Sequence, residues 1–289
     1  MKLANYSEST SSPVKAGLVL DSKIYSIPDQ SGHIFPSVDR ILQTGSIDFV
    51  RAKQPEIQRG SGSSLDSVKL APPILYPEKI YCAAVNYVSH SKEQNMSPPT
   101  EPYFFTKFRN ALIGAEDAVL LPKISKQVDW EVELAVVIGK RGKNISKEHA
   151  IDYVAGYTIS NDISFRDLQL RQNRFGMNWV KGKGLDTALP MGPWLVTKDE
   201  LSDPYASEIS LSVNGIERQK SKIDDMLFKI NQLIEYASAD VTMQPGDIIS
   251  TGTPLGVAVF TGAPFLKAGD VMEAKIQRIG ILKSYVKAQ

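Results

Sequence analysis

Two acidic side chains in one strand-like segment could hold a metal ion. Glu131 and Glu133 lie two residues apart within residues 128–138, where β-branched and apolar residues predict a strand. Because side chains alternate between the faces of a strand, both carboxylates should point the same way. Two such charges repel each other unless a cation or protons neutralise them, and carboxylate oxygens suit Mg²⁺ or Mn²⁺ better than Zn²⁺. On these two residues alone, a solvated acidic face is the commoner explanation.

A second polar segment, residues 156–169, strengthens the metal interpretation. It brings Asp162 close in sequence to Arg166 and Gln169. Asn161 or Asp162 could simply cap the start of a helix. That role leaves the one-turn spacing of Arg166 and Gln169 unexplained, and this spacing would form a clamp for a carboxylate substrate.

His90 is the candidate general base among the three histidines. His33 lies in the N-terminal region and His149 among charged residues, so both are expected at the surface. If the segment around His90 is helical, Glu93 lies one turn further along the same face. A carboxylate beside an imidazole orients the ring and raises its basicity, which suits a general base. A surface ion pair would show the same spacing.

Most of the elements that must position these groups are predicted to be strands. The strand-like segments are residues 16–20, 23–27, 80–85, 102–106, 131–138, 209–213, 248–251 and 271–276. The clearest helix is predicted over residues 225–238, where apolar residues recur at helical spacing after two aspartates. We therefore expect a mostly β (α+β) fold with peripheral helices.

The N-terminal region differs from the rest of the chain. Its short strand-like pieces alternate with Ser, Gly, Asp and Pro, and residues 59–67 have the composition of a flexible linker. We expect a small β-rich N-terminal domain over residues 1–70 and a catalytic domain over residues 71–289.

The composition argues against several classes of partner. The 289 residues include 33 Lys plus Arg and 32 Asp plus Glu, so no excess of positive charge favours nucleic acid or an anionic membrane. The single cysteine, Cys82, cannot form an internal disulfide. No apolar run approaches the ~20 residues that span a bilayer, and no signal peptide is visible. We expect a cytoplasmic protein. The glycine-rich residues 181–184 lack the spacing of a phosphate-binding loop.

Six motifs occur in an order that marks a known family. They are KIYCAAVNYVSHSKE (79–93), PYFFTK (102–107), DWEVEL (129–134), NDISFRDLQ (161–169), KGKGLDT (181–187) and PGDIISTGTPLGV (245–257). From about residue 79 to about residue 276, the chain resembles the fumarylacetoacetate hydrolase family. The resemblance implies a mixed β-sandwich roll, a deeply placed Mg²⁺ or Mn²⁺ ion and, usually, a homodimer.

The resemblance also implies roles for individual residues. The residues that match the family's metal ligands are Glu131, Glu133 and Asp162. Those that match its catalytic groups are His90, Glu93 and Lys183. Those that match its substrate contacts are Arg166, Gln169, Lys107 and Thr253. Phe165 stands where the family commonly has alanine, so we expect Phe165 and residues 94–100 to set the size of the pocket.

These roles suggest three alternative functions. The first is hydrolysis of a carbon–carbon bond in a small 2,4-dioxo acid, an acylpyruvate, with pyruvate leaving as a metal-stabilised enolate. The second is decarboxylation of oxaloacetate or a related lyase or isomerase reaction, because loss of CO₂ gives the same enolate without an attacking water. The third is a non-catalytic module that binds a metal or a metabolite, against which the complete set of candidate residues argues.

Overall fold

The computed structural model describes residues 1–171 and 174–289. The strands in chain order are β1 (Lys2–Ser7), β2 (Lys15–Leu20), β3 (Lys23–Ser26), β4 (Ser63–Ser64), β5 (Lys69–Ala71), β6 (Ile80–Ala84), β7 (Tyr103–Thr106), β8 (Leu112–Ile113), β9 (Ala118–Leu121), β10 (Val128–Asp129), β11 (Val132–Ile138), β12 (Val154–Asn161), β13 (Ser164–Phe165), β14 (Leu189–Thr197), β15 (Glu208–Val213), β16 (Ile216–Lys222), β17 (Ile248–Ser250), β18 (Val271–Ile276) and β19 (Gly280–Ala288). The helices are α1 (Val38–Gln43), α2 (Ile47–Ile57), α3 (Val88–Glu93), α4 (Arg166–Gln169), α5 (Trp179–Lys183), α6 (Ile230–Ser238) and α7 (Ala258–Thr261).

A twelve-stranded mixed sheet forms the centre of the molecule. Its main path runs β4-β3-β2-β1-β14-β12-β11-β17-β6-β7, with β5 paired to β1 and β8 paired to β14. The central strands β11 and β12 are buried on both faces, which explains the nearly continuous apolar sequence of β11. A five-stranded sheet, β16-β15-β18-β19-β9, contacts the large sheet along β14 and β12. The expected mostly β fold with peripheral helices is confirmed.

The N-terminal strands belong to the large sheet. Strand β1 pairs antiparallel with β14, and β2 and β3 extend the sheet outward from it. Residues 59–67, expected to form a flexible linker, instead contain β4, which pairs with β3, and a 3₁₀ turn at Leu65–Ser67. The domain boundary near residue 70 stays a prediction.

The helix expected over residues 225–238 begins later. Ile223–Asp225 forms a 3₁₀ turn and α6 starts at Ile230. Two contacts outside the helix explain the difference. The Asp225 carboxylate accepts the Ser89 N–H at 3.0 Å, and Met226 forms an isolated bridge with Tyr87. Tertiary contacts therefore override helical periodicity here. In the part of the chain that the structure describes, no helix is long and apolar enough to cross a membrane.

Candidate active site and metal centre

Three carboxylates converge where β11 begins and β12 ends. Glu131 lies immediately before β11, Glu133 lies within it, and Asp162 directly follows β12. One oxygen of each carboxylate lies within 4.8 Å of the others, and all three side chains are buried. The antiparallel pairing of the two strands brings them together: the Asp162 N–H donates to the Glu131 carbonyl at 2.8 Å. Asn161 adds a side-chain contact, because its carbonyl oxygen accepts the Glu131 N–H at 2.9 Å.

The turn after β17 holds the Glu133 carboxylate. One oxygen of Glu133 accepts both the Ser250 hydroxyl and, at 3.0 Å, the Gly252 N–H. Gly252 has a φ of +89°, and a Cβ there would lie 2.9 Å from the Asn86 Cβ and 3.0 Å from the Ala83 carbonyl oxygen. A glycine is therefore required for the backbone to approach Glu133.

Two buried lysines pair with the carboxylates. The Lys183 ammonium donates to Glu131 at 2.7 Å, to Asp162 at 2.9 Å and to the Ser164 hydroxyl at 2.6 Å. Lys107 donates to the other Asp162 oxygen and, at 2.9 Å, to the Ile163 carbonyl. Burial lowers the pKa of Lys107 below its ordinary value, although Asp162 opposes the shift.

The pKa values of the two glutamates shift in opposite directions. Burial and the nearby charges of Asp162 and Glu131 raise the pKa of Glu133 well above its ordinary value. Burial alone would raise the pKa of Glu131 too, but attraction to Lys183 and Arg166 outweighs it and lowers that pKa to about 2. For Lys183, the attraction of Asp162 and Glu131 outweighs burial and raises the pKa. Of the two glutamates, Glu133 is therefore the one whose ionised form an added cation would stabilise more.

These donors fit a hard divalent cation. All three groups are oxygen ligands, which suit Mg²⁺ or Mn²⁺, and they are already held by backbone and side-chain contacts. The two-residue spacing of Glu131 and Glu133 and the position of Asp162 after β12 place the three on one side of the sheet.

An arginine clamp lies beside this cluster. Arg166 begins α4, and its guanidinium donates through Nε to Asp129 at 2.9 Å, through Nη2 to Glu131 at 2.6 Å and through Nη1 to Gln169 at 3.0 Å. Attraction to Glu131 and Asp129 outweighs burial and raises the pKa of Arg166. The one-turn spacing of Arg166 and Gln169 thus produces a direct side-chain contact.

A histidine and a glutamate on α3 complete the set of ionisable groups. The His90 Nδ1 atom lies 3.0 Å from a Glu93 carboxylate oxygen. The other Glu93 oxygen accepts the Gly256 N–H at 2.9 Å, which fixes the carboxylate relative to the turn after β17. The Phe260 ring packs edge-on against the imidazole, with ring centroids 5.9 Å apart.

A cavity of about 690 Å³ opens above these groups. Its floor is charged and includes Glu131, Glu133, Arg166 and Lys183, and His90 lies in its wall. Much of the remaining wall is apolar; it includes Ala83, Met96, Phe105, Met177, Trp179 and Phe260. The Phe105 and Trp179 rings stack almost parallel, at an angle of 12° with centroids 4.6 Å apart.

Most residues predicted from the sequence lie at this cavity. Those that line it are His90, Glu131, Glu133, Arg166, Gln169, Lys183 and Thr253. Two others contact a lining group directly: Glu93 contacts His90, and Asp162 contacts Lys183. Lys107 lies one contact further from the cavity, against Asp162. Lys107, predicted to contact substrate, has a fully buried side chain and contacts Asp162 instead of the cavity.

The structure contradicts the expectation that Phe165 sets the size of the pocket. Its side chain is fully buried and does not line the cavity. Side chains alternate along β13, and Ser164 faces Lys183, so Phe165 must face the core. Residues 94–100, the other segment expected to set the size, contribute Gln94, Met96 and further side chains to the wall.

Asp129 and Trp179 were not identified from the sequence. Asp129 alternates with Glu131 and Glu133, so strand periodicity alone would have placed it on the same face. Trp179 lies four residues before Lys183, which places both on one face of a helix. Nothing local predicts that Trp179 stacks on Phe105.

Comparison with known proteins identifies the family. The model of the fumarylacetoacetate (FAA) hydrolase C-terminal region matches residues 79–287. The chain belongs to the fumarylacetoacetate hydrolase family. The mitochondrial oxaloacetate tautomerase fahd2 of Xenopus laevis is 42% identical over 289 residues, which cover 99% of this chain and 90% of the relative. A human mitochondrial oxaloacetate tautomerase is 48% identical over 211 residues, 73% of this chain and 67% of the relative.

Solved structures of the family have the same fold. A putative HpcE protein from Mycobacterium smegmatis has a TM-score of 0.87 at 31% identity, covering 100% of this chain and 99% of that one. Maleylpyruvate hydrolase from Sphingobium sp. SYK-6, in complex with manganese(II) and pyruvate, has a TM-score of 0.79 at 30% identity, with the same coverage. The expected family fold is confirmed, and this chain is an enzyme.

Proposed function

We propose that this protein is a divalent-metal-dependent hydrolase that cleaves a carbon–carbon bond in an acylpyruvate. The observation that carries the proposal is a single cavity bordered by the three-carboxylate cluster, the Arg166 clamp and the His90–Glu93 pair. A metal cluster alone would fit a binding protein. A histidine oriented by a carboxylate in the same cavity supports proton transfer to or from a bound substrate.

Glu131, Glu133 and Asp162 would hold the metal, Mg²⁺ or Mn²⁺. The manganese(II) and pyruvate in the Sphingobium maleylpyruvate hydrolase support a site of this kind. A bound divalent ion would act as a Lewis acid that polarises the substrate's keto oxygen. Since Glu131 and Asp162 already pair with Lys183, the charge of this cluster is balanced in part before any ion binds.

The substrate carboxylate would bind at the clamp. The planar guanidinium of Arg166 presents Nη1 and Nη2 toward Gln169 and Glu131 at the cavity floor. Such an edge matches a carboxylate with two parallel hydrogen bonds. Gln169 uses its carbonyl oxygen on Arg166, which leaves its amide N–H groups to donate to the substrate.

His90 would act as the general base. With Nδ1 held by Glu93, its Nε2 atom takes a proton from water. The hydroxide oxygen adds to the distal carbonyl carbon, and the bond between that carbon and C3 breaks. Its electron pair forms the pyruvate enolate, whose negative charge Lys183 stabilises. Protonation of C3 by the imidazolium gives pyruvate, and the other product is a carboxylic acid.

The size and lining of the cavity favour a substrate that carries an apolar acyl group in addition to its 2-oxo acid part. A four-carbon acid occupies only a small part of 690 Å³. The Phe105–Trp179 stack, Met96 and Met177 offer apolar surface away from the charged floor. Apolar walls bind an uncharged acyl chain better than a second carboxylate.

Oxaloacetate is the second candidate substrate, favoured by the names of the relatives from Xenopus laevis and human. Tautomerisation would move a proton between C3 and the enol oxygen, and decarboxylation would release CO₂. Neither reaction needs an attacking water. His90 would then exchange protons with the substrate directly.

Product analysis separates these functions. Purified protein is incubated with a series of acylpyruvates and with oxaloacetate, with Mg²⁺ or Mn²⁺ and with a chelator control. The proposal expects metal-dependent release of pyruvate together with a carboxylic acid. Release of pyruvate together with CO₂ from oxaloacetate, or keto–enol tautomerisation of oxaloacetate without any cleavage, would favour the second candidate.

A matched pair of variants tests the base. His90→Ala should abolish hydrolysis, while some decarboxylation could remain. His149→Ala is the control, because His149 is exposed on the surface. Hydrolysis at the normal rate by His90→Ala would overturn the assigned role.

A further inference from the structure

We propose that Asp129 is a positioning residue. It fixes the orientation of the Arg166 guanidinium and the position of the first turn of α7, which carries Phe260 against His90. Asp129 ends β10, two residues before Glu131, and its side chain is fully buried. It lies outside the three-carboxylate cluster that could bind a metal. The proposal rests on the proposed function, since it assumes that the substrate binds in this cavity.

Each of the two carboxylate oxygens of Asp129 accepts two hydrogen bonds. One oxygen accepts the Trp130 N–H at 2.9 Å and the Ala258 N–H at 2.8 Å. The other accepts Arg166 Nε at 2.9 Å and the Val259 N–H at 3.2 Å. A carboxylate with four donors in fixed directions has little freedom to rotate.

The first consequence concerns Arg166. A guanidinium is planar, so anchoring Nε to Asp129 fixes the plane in which Nη1 and Nη2 lie. Those two nitrogens then point to Gln169 and Glu131 at the cavity floor. Without Asp129, the guanidinium could rotate about its side chain and lose the orientation that a substrate carboxylate requires.

The second consequence concerns His90. Ala258 and Val259 form the first turn of α7, and Phe260 follows in the same turn. The Phe260 ring packs edge-on against His90 and lines the cavity. By holding the two N–H groups of this turn, Asp129 also fixes the surface that confines the imidazole.

Asp129→Asn is a sharp test because asparagine cannot replace the carboxylate in either orientation. Each oxygen of Asp129 faces two donors, so the amide NH₂ must face two donors whichever way the side chain turns. We expect kcat/KM to fall by about 10²-fold, as for a small misplacement of reacting groups. Asp152→Asn is the control, since Asp152 is exposed on the surface.

The experiment measures binding of oxalate, a mimic of the pyruvate enolate, by calorimetry in the presence of Mg²⁺. The proteins are the wild type, Asp129→Asn, Arg166→Ala and the double variant. If Asp129 acts through Arg166, Asp129→Asn weakens oxalate binding by about tenfold or more in the wild type, in keeping with loss of an oriented clamp. In the Arg166→Ala background it should cause no further loss. Equal losses in both backgrounds would indicate a general structural role and overturn the proposal.

Failure of the proposed function would look different. If wild-type protein binds no oxalate with Mg²⁺, the assignment of the site fails, whatever Asp129 does. If the wild type binds oxalate and Asp129→Asn binds it equally well, this inference fails while the proposed function stands.

A second measurement applies if Asp129→Asn does not fold. The Nε–H signal of Arg166 in the wild type is followed by ¹⁵N NMR and assigned with Arg166→Lys. We expect this N–H to be protected from exchange with water and to keep its position when Mg²⁺ and oxalate are added, while the Nη signals shift. An Nε–H that exchanges rapidly would overturn the anchoring role.

Discussion

Replacing Lys183 by methionine should separate its catalytic role from its structural one. The ammonium group makes three hydrogen bonds of 2.6–2.9 Å, two of them to Glu131 and Asp162. If it stabilises the enolate, its loss should lower kcat by ~10²–10³, as removal of one oxyanion partner does elsewhere. KM should change little, because Arg166 and Gln169, the residues proposed to bind the substrate carboxylate, stay in place.

The same substitution removes one of the two cations that each of two buried carboxylates contacts, since Glu131 keeps Arg166 and Asp162 keeps Lys107. Complete loss of the partner of a buried ion costs about 3–5 kcal/mol in the free energy of unfolding, and we expect a loss of up to this amount here. For a chain of this size, the melting temperature of the metal-free variant should then fall by up to roughly 15 °C. Since the freed oxygens belong to Glu131 and Asp162, added Mg²⁺ should raise the melting temperature of Lys183→Met by more than it raises that of the wild type.

Steady-state kinetics and thermal melting with and without Mg²⁺ measure both effects. Lys181→Met is a matched control, because Lys181 lies on the same helix α5 but is exposed. A Lys183→Met protein with wild-type kcat would refute the catalytic role. A loss of stability that Mg²⁺ does not recover would refute the reasoning that places Lys183 and the metal on the same carboxylates.

Three further predictions concern other parts of the site. Glu93→Gln with its amide oxygen toward His90 keeps that hydrogen bond, but the variant loses the carboxylate charge and the acceptor for the Gly256 N–H. We expect kcat to fall by about tenfold or more while calorimetry shows unchanged Mg²⁺ affinity, and a normal kcat would contradict the base assignment. Trp179→Leu removes the aromatic stack on Phe105, so kcat/KM for acylpyruvates with bulky acyl groups should fall by about tenfold relative to kcat/KM for acetylpyruvate. If the ratio of these two kcat/KM values is unchanged, Trp179 does not contribute to substrate selectivity. Because the pKa of Glu133 is raised, Mg²⁺ competes there with a proton at every pH below that pKa, so Mg²⁺ affinity should rise with pH over this range. Calorimetry in two buffers of different ionisation enthalpy measures the released proton, and no release at the low end of the range would contradict the assignment.

The relative positions of Glu131 and Glu133, and of Arg166 and Gln169, follow from local sequence rules. Alternation along a strand places Glu131 and Glu133 on one side, and the spacing of Arg166 and Gln169 gives a contact of 3.0 Å. These relations depend only on backbone geometry within one element. For this reason they could be predicted without knowledge of the neighbouring elements.

Other features depend on elements far apart in the sequence. The surroundings of Lys107 and the burial of Phe165 follow from packing that no local pattern describes. The late start of α6 follows from contacts of Asp225 and Met226 with residues 87–89. The homodimer and the cytoplasmic location also stay predictions.

The pairing of β1 with β14 has a consequence for how the enzyme can be shortened. Residues 71–289 contain every candidate site residue. A truncated protein of these residues would therefore retain all the groups proposed for catalysis. Without β1, however, β14 would expose unpaired backbone groups at Leu195 and Val196, where the two strands pair. Bare strand edges recruit other chains and lead to aggregation. We therefore expect residues 1–70 to protect this strand edge from aggregation. Their removal should lower the solubility of the protein before it lowers the catalytic activity.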